Sequence, residues 1–417
     1  TCLLQTKKQR SNPVFSRMKS GFGVSPLYGN PYAMTLDDLH FFSTSEGRDL
    51  LSTMLKTPGD DLTRLTRLRK QYPPDRCRAA LTLLTLRERA QTKFSRASEM
   101  AFDREGLEQS SGETVATYRA KRFRGFNQIA DLCCGIGGDA IALSQHASVI
   151  AVDQNPNRVA ITGWNAKAYN RSLQSVCADV TTWIPDAEAI FLDPSRRTHN
   201  RRVFALHEYQ PPVHLNPLQK ITPHVAIKVA PGLPYETIPS DCECEFISDR
   251  GACKEAVLWF GNLKTDAKRR ATLLPSGHTL PFKPTLEAPV DPPGAYLYEP
   301  DRAVIRAHLI DQLALDLVAW KLDSETAYLS SDHPQNTPFA RRYEVQDTFP
   351  FSLKRLQNYL STRNIGRLTI KKRRFPLTPD DLRKRLNLKQ KDQEAVLFLT
   401  RIHERPTVIV CKPFCHT

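Results

Sequence analysis

"DLCCGIGGDAIAL", residues 131–143, places an acidic residue in a strand, a Gly-x-Gly turn four positions later, and a helix-like apolar pattern directly after the turn. The strand is predicted from Gln128 to Cys134, with apolar Ile129, Ala130 and Leu132. It runs into glycines that lack a Cβ, so a ligand can approach the backbone at the start of the next helix. Gly135-Ile136-Gly137-Gly138-Asp139-Ala140 also satisfies the G-x-G-x-x-A form of the dinucleotide fingerprint, which leaves a nicotinamide or flavin cofactor open at this point.

Working outward, "QIADLCC", "SVIAVD", "QSVCAD", "AIFLDP" and "HVAIKVA" are separated by crossovers, which predicts parallel strands with helices on both faces. Only "DRGACK" lies between "EFIS" and "EAVLWF", too short for a crossover, so these two are expected to form an antiparallel hairpin at the sheet edge. Asp131 lies in the first strand, while Asp153, Asp179 and Asp193 end the second, third and fourth. Ligands of open parallel sheets lie across the carboxyl ends of the strands, where these acids converge. Asp153 is placed for ribose hydroxyls. Asp179, followed by Val180, is placed for an exocyclic amine and an adenine ring. So many carboxylates disfavour a pyrophosphate and suit the sulfonium and ammonium of S-adenosylmethionine, the cofactor expected here.

The 417 residues are 40% hydrophobic and 25% charged, enough for two or three domains with their own cores. No stretch approaches the roughly 18 to 20 apolar residues of a membrane span, so a cytoplasmic protein is expected. Ten cysteines are scattered, with Cys133, Cys134, Cys177, Cys242 and Cys244 in or beside predicted strands, as suits a reducing compartment. Cys242-x-Cys244 with Cys253 is a poor zinc spacing, and no metal is expected. The net charge of +15 favours a polyanion such as nucleic acid.

Residues 1–33 read as a disordered basic extension, and order is expected from Met34, where Thr35 can cap a helix carrying Asp37 and Asp38 in its first turn. Residues 34–109 show helical spacing and are expected to hold no catalytic group. Ser110 and Glu113 have capping-box spacing before the helix that leads into the first strand. The sheet domain is expected over 110–262, a linker with two short strands over 263–294, and a separate α+β domain over 295–417. Within the last, residues 367–391 hold ten basic residues against two acids. Lys371, Lys372, Arg373 and Arg374 are expected to contact RNA phosphates. Lys228, inside "HVAIKVA", is a candidate phosphate contact, with a snorkelling lysine as the alternative.

Residues 110–260 resemble the class I S-adenosylmethionine-dependent methyltransferases. "CCGIGGDAIAL", "VIAVDQNP", "CADV" and "FLDP" are most similar to the RNA-modifying branch that includes trimethylguanosine synthase-like guanine-N2 enzymes. Residues 295–413, with "YLYEPD", "PFSLKRL" and "GRLTIKKR", resemble the THUMP-like domain fused to bacterial methyltransferases. The resemblance implies an α/β Rossmann-like sheet of seven strands ending in an antiparallel hairpin, flanked by a helical N-terminal domain and the α+β THUMP-like domain. It places Asp131, Cys133, Gly135 and Gly137 around the methionine moiety, Asp153 and Gln154 at the ribose, and Asp179 and Val180 at the adenine. The catalytic motif is Asp193-Pro194-Ser195-Arg196, where amino-methylating relatives have D/N-P-P and an aromatic residue, so a guanidinium stands at the stacking position. D-P-x-R also occurs in enzymes that methylate pyrimidine C5 through a cysteine, but no matching cysteine motif follows the fifth strand, and Cys253 reads as a bystander. The implied activity is methyl transfer to a base nitrogen, guanine N2-like, in ribosomal or transfer RNA. A nicotinamide-dependent oxidoreductase and a non-catalytic RNA-binding protein with a vestigial fold are the rival readings.

Overall fold

The computed structural model describes residues 34–195, 197–198, 201–202, 208–386, 388 and 392–413. The expected basic extension over 1–33 and the Arg196 of the catalytic motif lie outside the described residues.

The central sheet comprises β1 (Gln128–Leu132), β2 (Ser148–Asp153), β3 (Gln174–Cys177) and β4 (Ala189–Leu192). After the two-residue pair β5 (Arg197–Thr198) and β6 (Arg201–Arg202), it continues with β7 (Val225–Val229), β8 (Glu243–Asp249), β9 (Ala252–Trp259), β10 (Arg269–Leu274) and β11 (His278–Pro281). Among the described residues the order is β11-β10-β8-β9-β7-β4-β1-β2-β3. The first five long strands are parallel, as the crossovers predict. Both faces of β1, β2, β4 and β7 are covered, so these four read as apolar runs, with Ile129, Ala130, Val152, Ile190 and Ile227 all buried; β3, at the edge, is only partly buried.

The sheet exceeds the expectation by two strands. The hairpin β8–β9 forms, but β9 lies against β7 and β8 pairs in parallel with β10, so the edge belongs to β11. The stretch expected as a linker thus supplies two strands of the sheet. Two short strands were expected there, and what the sequence did not show is that they join the sheet, with Ala271, Leu273 and Leu274 buried.

Five helices form the N-terminal bundle: α1 (Leu36–Ser43), α2 (Ser45–Lys56), α3 (Asp61–Leu68), α4 (Pro74–Ala90) and α5 (Arg104–Gln109). Thr35 caps α1 in a capping box with Asp38. The helices share a core of Leu50, Met54, Leu83, Met100 and Phe102 with Ile136 of the glycine turn and Ile161 of the later helix α8 (Pro156–Ala168), so the bundle is built onto the sheet domain. Between them in the chain lie α6 (Glu113–Ala120) and α7 (Gly138–Leu143). The box expected from Ser110 and Glu113 does not form: α6 is capped at Gly112, and Ser110 ends α5. Glu113 instead accepts from the Ser95 amide (2.6 Å) and hydroxyl (2.9 Å) and from Tyr169 (2.9 Å), which ties α6 to both the bundle and the end of α8.

After α9 (Leu215–Ile221), the C-terminal region contributes β12 (Tyr296–Pro300), α10 (Arg302–Arg306), α11 (Ile310–Asp316), β13 (Trp320–Asp323), β14 (Thr326–Ser331), β15 (Ala340–Pro350), α12 (Leu353–Thr362), β16 (Ile365–Lys372), α13 (Pro379–Leu386), β17 (Gln393–Ile402) and β18 (Arg405–Cys411). Its sheet runs β13-β14-β12-β15-β18-β17-β16. Helices α12 and α13 cover it through Leu356, Leu360, Leu382 and Leu397. Ala303, Val304, Leu309 and Leu313 join the core of the first sheet, so α10 and α11 bind the two sheets together.

Candidate functional site

The backbone ladder runs one step past each parallel strand: Cys134 N–H to Val152 O (3.0 Å), Asp193 N–H to Leu132 O (3.2 Å) and Ala178 N–H to Asp153 O (3.1 Å). The chain ends after β1 to β4 are thereby fixed along one edge, which opens into a cleft of about 950 Å3. Cys133 (φ 62°), Gly135 (φ 57°) and Gly137 (φ 85°) all adopt the left-handed conformation. The two glycines need it for different reasons. A Cβ at Gly137 would stand 2.9 Å from the Thr162 side chain, whereas one at Gly135 would meet nothing within 4 Å. Gly137 serves packing, and Gly135 leaves the backbone bare toward open space.

Asp153 holds this turn. Its carboxylate accepts from the Gly135 amide and from the Asn155 amide, both at 2.9 Å. Burial raises its pKa above the ordinary carboxylate value against those two hydrogen bonds. Asp179 is exposed, and Oδ1 accepts from the Thr181 amide (2.9 Å) and hydroxyl (2.7 Å), which lower its pKa. Asp131 is fully buried within β1, and neither carboxylate oxygen has a hydrogen-bond partner. Burial, then Asp139 and Asp193, raise its pKa well above the usual range. Gln154, Val180, Pro194 and Ser195 also line the cleft with Cys133, Gly135, Asp153, Asp179 and Asp193.

Asp193 stands at the end of β4 and does not stand alone. The ammonium of Lys228, buried in the facing strand β7, donates to Asp193 Oδ2 (2.5 Å) and to the Ser111 hydroxyl (3.0 Å). Ser111 donates to Asp139 (2.9 Å) and also accepts from Arg119 (2.7 Å), and Arg119 is ion-paired to both Asp139 and Glu255. Burial alone would lower the Arg119 pKa; Asp139 and Glu255 overcome it and raise it. Lys228 is therefore neither a phosphate contact nor a snorkelling side chain. Its charge is spent on Asp193, because an unpaired ammonium inside a sheet would be too costly.

The basic run of the C-terminal domain also has partners of its own. Lys371 pairs with Glu299 and lies over the Tyr343 ring at 5.3 Å, while Lys372 donates to the Phe375 carbonyl (3.1 Å). Arg373 stacks over Tyr328 (4.6 Å), and Arg374 is paired with Asp323 (2.9 Å), Glu325 (2.7 Å) and Glu404 (3.0 Å). Each side chain of the run thus has a partner within its own domain, while Lys372 and Arg374 remain exposed.

Sequence reasoning missed several residues that line the cleft: Gly106 and 108–111 from the helical region, 210–212, 230–232, 252–254, and Arg306. The helical region thus does contribute to the site. Arg158 of α8, with Asp103 (3.9 Å) and Glu105 (3.0 Å), and Lys93, whose ammonium donates to the carbonyls of Leu107 (2.6 Å) and Ser110 (3.1 Å), hold α5 against it. Charged residues within apolar strands, Lys228 and Glu255, were the available signal for the Arg119 network.

Three family models match the chain: a domain of unknown function over 35–90, RNA cap guanine-N2 methyltransferase over 126–214, and THUMP domain-like over 340–413. An S-adenosylmethionine-dependent methyltransferase of Mycobacterium tuberculosis is 34% identical over 327 residues, covering 76% of this chain and 90% of the relative. The chain belongs to the S-adenosylmethionine-dependent methyltransferases. The fold agrees: a methyltransferase structure from Porphyromonas gingivalis W83 matches 87% of this methyltransferase and 97% of its own chain, with a TM-score of 0.75 at 22% identity. The cofactor is S-adenosylmethionine, and the residues suit it. The bare approach at Gly135 gives room for a ligand, and the unpartnered buried carboxylate of Asp131, with Asp153 and Asp193 near it, suits a cation rather than a pyrophosphate.

Proposed function

We propose that this methyltransferase modifies RNA, and that the acceptor is a base nitrogen, with a guanine exocyclic amine the first candidate, in ribosomal or transfer RNA. The matches to the guanine-N2 methyltransferase and THUMP domain-like models support an RNA substrate. The observation that carries the acceptor is the salt bridge of Asp193 with Lys228 at the cleft wall, which fixes a carboxylate as a hydrogen-bond acceptor.

S-adenosylmethionine supplies an electrophilic methyl group on a sulfonium. Asp153 binds the ribose hydroxyls through lone pairs that its two backbone contacts leave unused, with Gln154 beside it. Asp179 and Val180 border the adenine, and Cys133 and Gly135 line the methionine end, with Asp131 buried behind them and Gly137 packing the turn on Thr162. Lys228 holds one oxygen of Asp193, so the other is directed at the amine N–H. Pro194 offers its carbonyl as a second acceptor. With the methyl donor bound, Asp193 would accept a hydrogen bond from the amine that strengthens as positive charge grows there, and the surplus amine proton would pass to solvent. A carbon mechanism finds no support in the described thiols of the cleft. Burial pushes Cys253 up to about 12 and Cys133 and Cys134 well above their usual value, so none of the three is poised as a thiolate.

The test is transfer of a labelled methyl group to RNA from cells lacking the protein, with nucleoside mass spectrometry to locate it. An N-methylated base is the expected product. A covalent adduct trapped through a cysteine would replace this reading with carbon methylation.

A further inference from the structure

The cleft is divided by charge. The glycine-turn side carries Asp153, Asp179 and Asp193, with Asp131 behind them. The opposite side carries Lys254 of β9 and Arg306 of α10, both exposed and neither ion-paired with a described residue. Arg158, the remaining arginine of the lining, is committed to α5 through Asp103 and Glu105. Lys254 and Arg306 line the same cleft. The charge of Arg306 acts on the thiol of Cys253, the residue next to Lys254.

Both cations are held on rigid supports. Lys254 sits in the β8–β9 hairpin inside the sheet. Helix α10 is anchored by Asp301, which accepts the Ala303 amide (2.8 Å) and the hydroxyl of buried Ser248 on β8 (3.1 Å), while Ala303 and Val304 are fully buried. Arg306 follows one turn later, so the C-terminal region contributes a guanidinium to the lining of a cleft that the first sheet also lines. A cation with an internal acid partner releases little counterion to a phosphate; an exposed one without such a partner does so fully. That criterion rejects Lys371 and Arg374 and selects Lys254 and Arg306.

We propose that Lys254 and Arg306 form a phosphate clamp that seats the RNA backbone across the cleft from Asp193. This rests on the RNA reading of the same cleft. The clamp positions the strand and leaves base identity to the Asp193 side.

The test compares wild type with the Lys254→Ala/Arg306→Ala double variant. Binding to end-labelled bulk transfer RNA and to ribosomal RNA fragments is titrated over a range of salt. Cofactor affinity by calorimetry serves as the folding control, and methyl transfer to RNA from cells lacking the protein gives kcat and KM. The double variant should lower the log–log salt slope by about 1.4 to 1.8, two contacts at roughly 0.7 to 0.9 each, and raise KM for RNA with kcat and cofactor affinity within about twofold of wild type. Lys254→Arg should retain the wild-type slope. A wild type that methylates RNA beside a double variant with unchanged slope and KM overturns the clamp alone. A wild type that neither binds nor methylates RNA, or that labels protein instead, overturns the RNA reading and the clamp with it.

Discussion

The strand ends of the first sheet and the basic run of the second domain both stand out in the sequence, one by its aspartates and the other by four consecutive cations. The fold treats them in opposite ways. Asp153, Asp179 and Asp193 come together because parallel strands must end on one edge, so topology alone places them. Lys371, Arg373 and Arg374 are engaged by Glu299, Tyr328 and the acids around β13 and β17–β18, none of them near in sequence, while Lys372 turns to the nearby Phe375 carbonyl. A position fixed by backbone topology can be inferred from a pattern. The availability of a side chain depends on partners brought in from elsewhere.

The sharpest way to break this comparison is at the network beneath the cleft. Arg119→Met leaves Asp139 and Glu255 buried without their cation and should cost about 3 to 5 kcal/mol of stability, read by denaturant unfolding. A loss under 1 kcal/mol would show that the network is not what holds Ser111 and Lys228 in place. Asp153→Ala should weaken S-adenosylmethionine by about 2 to 4 kcal/mol in calorimetry, with part of the loss due to the freed Gly135 amide. Unchanged affinity in a folded variant would remove Asp153 from the cofactor site.

A smaller effect concerns Asp131. Its pKa is raised in the folded chain above the unfolded value, so its contribution to stability is fully present below the unfolded pKa and is lost as pH rises through the folded one. Asp131→Asn should therefore gain stability relative to wild type as pH rises above the ordinary carboxylate range, and the gain should vanish near pH 4, checked by melting temperature across pH. A gain independent of pH would contradict a raised pKa. The smallest expected effect is in the other region. Neutralising Lys371, Lys372, Arg373 and Arg374 together should shift the RNA salt slope by less than about 0.7, under one phosphate contact, while lowering thermal stability. A drop of two or more would restore the run as an RNA face.

The same distinction explains what the sequence made legible. The glycine turn, the strand order around it and the strand-end acids follow from local periodicity and the rules of parallel sheets. The Arg119 network was hidden because its members, from Ser111 to Glu255, meet only after α6, α7, β7 and β9 are packed. The contribution of α5 to the cleft depends on ion pairs with Arg158 and on packing against Ile136, which no window of sequence displays. The two short strands expected within 263–294 could not be assigned to the sheet, because among prolines they bury their apolar residues only against a sheet already formed.

The central claim is that Asp193, held by Lys228, grips the acceptor amine during methyl transfer to RNA. Single-turnover transfer of a labelled methyl group by Asp193→Ala, measured beside RNA and cofactor titrations, tests it most directly. The account predicts a rate reduced by about 100-fold or more with RNA affinity nearly intact. Full activity in the folded variant would contradict it and remove the motif from the catalytic site.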